Sequence, residues 1–390
     1  MRIAFLIPSL TIGGAEKAVS LLTTELSHQH DIYIILLQHK IKLPYKGHVY
    51  LIGHEDNFQG RLYSYVSYFK LLRSINPDVV ISLLTKAHTM NALIPAKVKR
   101  RLIWVQNFPI QHHFRNKIIS LQNLLKWLTI YRGVDRILAT SKLLAHKLMM
   151  LYRVDRKKIS VLYNPVNITE IETLKKYPLN EAERDLFGSP TFINVGRFTW
   201  QKGQWHLIRS FKEASKELED AKLIIVGEGK MKFFLHSLIK KLNLNNRVTL
   251  FGPTSNPYKL MGRSDVFVFP SIKEGLPISL IEALACGLTV MSSDCPSGPR
   301  EILAPDTPYY DKPLKEPEFA KYGILMPAPD GMLRDHTQGL TWCEKKWAEW
   351  MTIVGTDKNI RKRYASIAPI RAFDFDVKKI GRTLLDIISE

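Results

Sequence analysis

The stretch Asp265–Gly287, DVFVFPSIKEGLPISLIEALACG, decides the fold. Val266–Phe269 is an apolar run of strand length that ends in a loop of Pro, Ser and Gly residues, and beyond it Ile278, Leu280, Ile281 and Leu284 recur on one helical face. A strand that passes through a loop into a helix is the repeating unit of a doubly wound parallel sheet. It aims backbone N–H groups and loop side chains into the crevice at the carboxyl ends of the strands, where nucleotide-like ligands bind. Glu274 lies in that loop and Glu282 in the helix, with seven residues between them. Such a pair can hold hydroxyl groups of one ligand from two sides. Taken singly, Glu274 reads equally well as a helix cap and Glu282 as a solvated helix residue.

Working outward, strand-length apolar runs at 3–7, 32–37, 79–84, 102–105 and 136–139 are separated mostly by segments of helical period. The alternation starts again at 192–195, 222–226, 248–251, 266–269 and 288–291. Two successive series of this kind predict two doubly wound parallel sheets, and 390 residues are enough for two domains with their own cores. The polar segment 166–190 ends in the turn-rich Gly188-Ser189-Pro190 and is read as a linker between a first domain, 1–165, and a second, 191–372. Residues 373–390 read as a terminal amphipathic helix with Val377, Ile380, Leu384 and Ile387 on one face.

The second series opens with Gly196 and Arg197 in the loop after its first strand, followed by Lys202 and Gly203 at a helix start. A helix N-terminus with two cations close by is a diphosphate clamp, because fixed N–H dipoles and positive charges all favour added negative charge. Each cation alone reads as an ordinary surface residue beside a helix. Lys222–Gly229, KLIIVGEG, is a strand ending in G-x-G, but it lacks the third glycine of a dinucleotide fingerprint and is not the first βα unit of its domain. In the first series, Gly13 and Gly14 stand between a strand and a helix, where they allow backbone amides to approach a ligand phosphate or simply permit a tight turn.

Taken together, E-G-L-P-I-S-L-I-E-A-L-A-C-G at 274–287, G-R-x(4)-K-G at 196–203 and G-G-A-E at 13–16 resemble the signature of glycosyltransferase family 4, also called glycosyl transferases group 1. The resemblance implies the GT-B architecture, α/β with two Rossmann-like domains facing a central cleft, and a final helix that crosses back to the first domain. It implies retaining transfer of a hexose or N-acetylhexosamine from a nucleotide sugar, a UDP-sugar, with neither metal nor cofactor. Catalytic roles then fall on Arg197, Lys202 and Glu274, and donor binding on Gly13, Gly14, Gly196, Glu274, Gly275, Leu276 and Glu282. The turn Gly252–Asn256 is where contacts to the base are expected. Many members carry a sugar-contacting histidine after the fourth strand of the first domain. This chain has Asn107 there, with His112 and His113 a few residues on, and these three are the acceptor-side candidates, although each histidine alone reads as a loop residue.

Charge bears on the acceptor. Residues 1–170 carry 24 Lys+Arg against 9 Asp+Glu, a net +15, while the remainder carries +5. Such asymmetry fits an anionic partner, whether nucleic acid, a phosphorylated substrate or an acidic membrane leaflet, and it also occurs in proteins that are merely basic. Interleaved basic and aromatic RNA-binding motifs are lacking, so no nucleic acid is expected. The segment 114–132 has helical period, with Phe114, Ile118, Leu121, Leu125 and Leu128 on one face and Arg115, Lys117 and Lys126 elsewhere, and it follows the basic run Lys97–Arg101. It suits an interfacial helix on an anionic inner-membrane surface and a core-packed helix alike. Cys295–Leu303, CPSGPREIL, resembles a variant found in transferases that build bacterial surface glycans, which favours a lipid-linked acceptor over a soluble one.

The N-terminal MRIAFLIPSL breaks at Pro8 and reads as a first strand rather than a signal peptide, and no apolar run approaches the length of a membrane span. Cys286, Cys295 and Cys343 form neither a disulfide framework nor a zinc pattern. The expected location is cytoplasmic, peripheral on the inner membrane. Asp374-Phe-Asp376 is a D-x-D, the metal-binding tripeptide of another transferase fold, but it does not follow a nucleotide-binding strand and is set aside.

Overall fold

A computed structural model describes residues 1–11, 13–53, 58–93, 100–105, 127–128, 130–309 and 313–390. They divide into two compact units, Met1–Val166 with Phe375–Glu390, and Asn167–Asp374.

The first unit holds β1 (Arg2–Ile7), β2 (Asp31–Leu36), β3 (His48–Leu51), β4 (Val79–Leu83), β5 (Arg100–Val105), β6 (Arg136–Ala139) and β7 (Ile159–Val161). They form one parallel sheet in the order β3-β2-β1-β4-β5-β6-β7. Strand period sets the two cores. Ile3, Phe5 and Ile7 of β1 point into one apolar cluster, Ala4 and Leu6 into another on the opposite face. Into the first cluster the terminal helix Val377–Ser389 inserts Val377, Ile380, Leu384 and Ile387, packing on the helix Gly14–Leu26. Its start is fixed by Asp376, whose side chain accepts the Lys378 N–H at 3.0 Å.

The second unit holds β8 (Thr191–Val195), β9 (Lys222–Val226), β10 (Val248–Phe251), β11 (Val266–Phe269), β12 (Thr289–Ser293), β13 (Glu318–Ala320) and β14 (Gly323–Met326). Their order is β10-β9-β8-β11-β12-β14-β13, parallel except for the antiparallel pair β13–β14. In each sheet the order reverses beside the first strand, between β1 and β4 and between β8 and β11. Loops after those strands therefore diverge and leave a crevice at their carboxyl ends.

All ten expected strands form. Among the described residues four further strands form: β3, β7 and β13 at sheet edges, and the four-residue β14 between β12 and β13. The segment 166–190 is a correction, because from Asn167 onward it is part of the second unit rather than a free linker. It carries the helices Ile168–Leu174 and Glu181–Arg184, each started by an asparagine cap. Ile168 and Ile171 are buried, the first helix packs on Ile278–Cys286, and Glu183 pairs with Lys259 at 2.6 Å.

Among the described residues no helix is long and apolar enough to cross a membrane. The basic positions Lys97, Lys99, Arg115, Lys117 and Lys126 lie outside the described residues, and so does most of 114–132. Of that segment 127–128 and 130–132 are described: Trp127, Ile130 and Tyr131 are buried in a cluster with Tyr152, Leu128 packs partly buried against it, and Arg132 is exposed. The end of the segment is thus core-packed.

Candidate active site

The switch point of the second sheet assembles most of the sequence motifs. After β8 the chain passes through Gly196 and Arg197, makes a short 3-10 turn over Trp200–Lys202, and enters the helix Gln204–Ala214 at Gly203. Gly203 has φ 62°, and an added Cβ would collide with the Pro270 carbonyl oxygen, so a side chain here would push the two loops apart. Inside, Asn194 donates to the Val268 carbonyl at 2.7 Å and Gln204 to the Arg197 carbonyl at 3.1 Å. The G-x-G of 227–229 has a structural task as well. A Cβ on Gly227 would strike the Gly196 carbonyl oxygen, and Phe198 N–H donates to the Glu228 carbonyl at 2.8 Å, so this second loop braces the first by bare backbone contact.

The loop after β11 is tied to the loop after β8 by Gln201. Its carbonyl accepts the Ile272 N–H at 2.9 Å and its side chain donates to the Lys273 carbonyl at 2.8 Å. This tie brings Lys202 and Glu274 together, Nζ to Oε1 at 2.8 Å, with the two side chains 16% and 8% exposed. The Lys202 ammonium also lies 4.9 Å above the Phe269 ring, and its methylenes pass Gly196, where a Cβ would be in van der Waals contact. Arg197 is exposed, and among the described residues its guanidinium has no ion-pair partner.

The third wall is the segment after β12. Ser297 donates to the Gly275 carbonyl at 2.8 Å, and Gly275 and Leu276 are buried beneath it. The helix Ile278–Cys286 begins at Pro277 with no side-chain cap, so Glu274 is not a helix cap. Nor is Glu282 solvated: it is 5% exposed and accepts the Tyr258 hydroxyl at 2.9 Å. Burial first, then the Glu282 charge, push Tyr258 ionisation well above its ordinary range, which keeps the hydroxyl a donor.

Helix starts divide by chemistry. Ser141, Asn167, Asn180, Thr341, Asp357 and Asp376 cap theirs with a side chain. Gly13, Gly203 and Pro277, at the three motifs, do not, and neither do Met231, Pro257 or Gly298. Uncapped starts leave N–H groups available to an anion. In the first unit Gly13 is extended, with φ −163°, and Gly14 opens the helix, while the Glu16 carboxylate folds back against Gly13.

Other positions are committed elsewhere. Asn256 donates to the Leu174 carbonyl at 3.0 Å and so holds its own turn. Asp374 pairs with Arg371 at 2.6 Å. Among the described residues no cluster of His, Cys, Asp or Glu has the spacing of a metal site. Asn107, His112 and His113 lie outside the described residues. Tyr258 and Phe269 were not singled out from sequence. Phe269 stood within the deciding stretch, whereas Tyr258 carried no local signal at all.

Two doubly wound units with the strand order of β8 and β11 at a switch point define the GT-B class of fold. Residues 181–312 match the family model described as glycosyl transferases group 1, and residues 12–170 match that of glycosyltransferase family 4. An uncharacterized glycosyltransferase of Methanocaldococcus jannaschii is 36% identical over 325 residues, covering 80% of this chain and 79% of its own. The chain belongs to this glycosyltransferase family. It is also similar, at 28% identity over 98% of both chains, to the N-acetylgalactosamine-N,N'-diacetylbacillosaminyl-diphospho-undecaprenol 4-alpha-N-acetylgalactosaminyltransferase of Campylobacter jejuni. Its fold is shared with Anabaena HepE, solved in complex with UDP, at a TM-score of 0.76 and 19% identity over 100% of both chains.

Proposed function

We propose that this glycosyltransferase moves a hexose or N-acetylhexosamine from a UDP-sugar to a lipid-linked glycan acceptor, with retention at the anomeric carbon and without a metal. The observation that carries the reading is the Lys202–Glu274 pair, a cation and a carboxylate at 2.8 Å on adjoining loops of the switch point. In it Lys202 and Arg197 meet the diphosphate, aided by the uncapped helix starts at Gly203 and Pro277, and Glu274 meets the sugar. The amides of Gly275 and Leu276 approach sugar and diphosphate, and Glu282 holds the ribose. Gly13 and Gly14 supply the amides of the first unit.

In this reading the bond between C1 and the phosphate oxygen breaks as the acceptor oxygen bonds to C1 on the same face. The acceptor proton passes to an oxygen of the leaving diphosphate, so no protein nucleophile is needed. The UDP in the HepE complex supports a uridine donor, and the undecaprenol-linked substrate in the Campylobacter relative's name supports a lipid diphosphate acceptor. The net +15 of residues 1–170 supports work at the anionic cytoplasmic face of an inner membrane, as part of surface polysaccharide or lipopolysaccharide assembly.

The test is a panel of UDP-, GDP- and ADP-sugars, assayed for nucleoside diphosphate release with an undecaprenyl-diphosphate saccharide and with soluble glucan, in the presence and absence of EDTA. Release from a UDP-sugar that depends on the lipid-linked saccharide and survives EDTA is expected. Preference for glucan makes this a soluble-acceptor enzyme, and an inverted anomeric signal in the product NMR spectrum overturns the mechanism.

A further inference from the structure

The Lys202–Glu274 pair sets up a conflict between its two duties. Both side chains are largely out of water, so their attraction is weakly screened. A diphosphate arriving at Lys202 meets an ammonium that is already neutralised, with a carboxylate of its own sign 2.8 Å behind it. An intact nucleotide sugar offsets this, because its sugar hydroxyls donate to Glu274. A nucleoside diphosphate has no such hydroxyls to offer. Gln201 keeps the geometry fixed in either case, since its backbone carbonyl and side chain clamp the two loops at Ile272 and Lys273.

We infer that Glu274 has a second role as a product-expelling residue: once the sugar has left with the acceptor, it reclaims Lys202 and weakens the hold on the nucleoside diphosphate. Glu274 thus favours the donor and disfavours the spent nucleotide, a discrimination that the cations alone do not supply. The inference rests on the diphosphate being held at Lys202 as proposed above.

Isothermal titration separates the two readings. UDP, GDP and ADP are titrated into the full chain, and the one that binds most tightly is then titrated into Glu274→Gln, Glu274→Ala, Lys202→Ala and the Lys202→Ala/Glu274→Gln double variant. Glu274→Gln is isosteric and is expected to bind the nucleotide on the order of tenfold more tightly than the parent. Glu274→Ala should move the same way. Lys202→Ala should bind at least about tenfold more weakly, and in its background Glu274→Gln should give no gain. If Lys202→Ala weakens binding but neither Glu274 variant tightens it, or the gain persists without Lys202, the product-expelling role is wrong and the site stands. If Lys202→Ala binds as the parent does, or the parent binds none of the three, the diphosphate is not held there and both readings fall.

Discussion

Tyr258 donates its hydroxyl to the Glu282 carboxylate at 2.9 Å, joining the short helix after β10 to the helix after β11 across 24 residues of sequence. Both residues are buried, so the contact fixes which way the carboxylate points as the helix Ile278–Cys286 presents it. A carboxylate that holds a ribose by hydrogen bonds depends on such aim. Tyr258→Phe preserves the packing and removes one donor. It should raise the donor KM severalfold while kcat stays near that of the parent, the pattern of lost uniform binding. Glu282→Gln should show the same split more strongly. A fall in kcat at unchanged KM for either variant would place Glu282 at the reacting sugar instead.

The two cations of the loop after β8 are expected to act later on the reaction path. Lys202 sits 2.8 Å from Glu274, where charge would develop on the leaving diphosphate. Lys202→Ala should lower turnover by roughly a hundredfold or more, with the circular dichroism spectrum unchanged. Glu274→Gln should likewise slow transfer chiefly through kcat, in contrast to Glu282→Gln. Near-normal turnover of a well-folded Lys202→Ala would remove the clamp from the mechanism.

Stability of the second unit has a pH signature. Glu344 is buried against His206 Nδ1 at 2.8 Å and Arg209 Nε at 2.9 Å, and it accepts the Thr341 N–H in a capping box. Burial alone would raise its pKa, but the hydrogen bonds from His206, Arg209 and Thr341 outweigh it and hold the carboxyl down at about 2. The folded value lies below the unfolded one of 4.5, so the contribution is fully present above pH 4.5 and is lost as pH falls towards about 2. It amounts to roughly 3 kcal/mol. Glu344→Gln should therefore destabilise the unit near neutral pH, leaving the buried Arg209 without its counter-charge. The gap to the parent should narrow as the pH is lowered. Urea denaturation followed by tryptophan fluorescence at several pH values checks this, and a gap independent of pH between 6 and 3 would contradict it.

How far the sequence speaks depends on whether a residue's partner is local. Strand and helix periods, and the loop motifs around Lys202 and Glu274, lie within single βα units and were legible there. That Lys202 and Glu274 touch follows from the neighbouring of β8 and β11, which the doubly wound order supplies. Tyr258 meets Glu282 from a different βα unit, and the His206–Arg209–Glu344 cluster joins helices 135 or more residues apart, so neither left a local pattern. The G-x-G of Gly227 and Gly229 was visible, but its use as a bare-backbone brace for Gly196 and Phe198 was not. Residues 167–190 read as a linker because their composition is polar, while Ile168 and Ile171, the Glu183–Lys259 pair and the Asn256 bond to the Leu174 carbonyl seat them on the second unit.

The last prediction concerns where the enzyme works. A lipid-linked acceptor presents its diphosphate at the membrane surface, and residues 1–170 bring a net +15 to meet it. Within them the run Lys97–Arg101 packs four cations into five residues, and Arg115, Lys117 and Lys126 follow it in the segment of helical period. Each cation near an anionic leaflet contributes on the order of 1 kcal/mol, so a handful acting together give reversible attachment that screening by salt undoes. Vesicle co-sedimentation should show binding to membranes containing phosphatidylglycerol, little binding to phosphatidylcholine alone, and release at high salt. Changing Lys97, Lys99, Arg115, Lys117 and Lys126 to Ser should abolish the preference while leaving UDP affinity intact, because the proposed nucleotide contacts lie largely in the second unit. Equal binding to neutral and anionic vesicles, or an unchanged preference in the variant, would detach the basic segment from the membrane and leave the lipid-linked acceptor resting on the relatives alone.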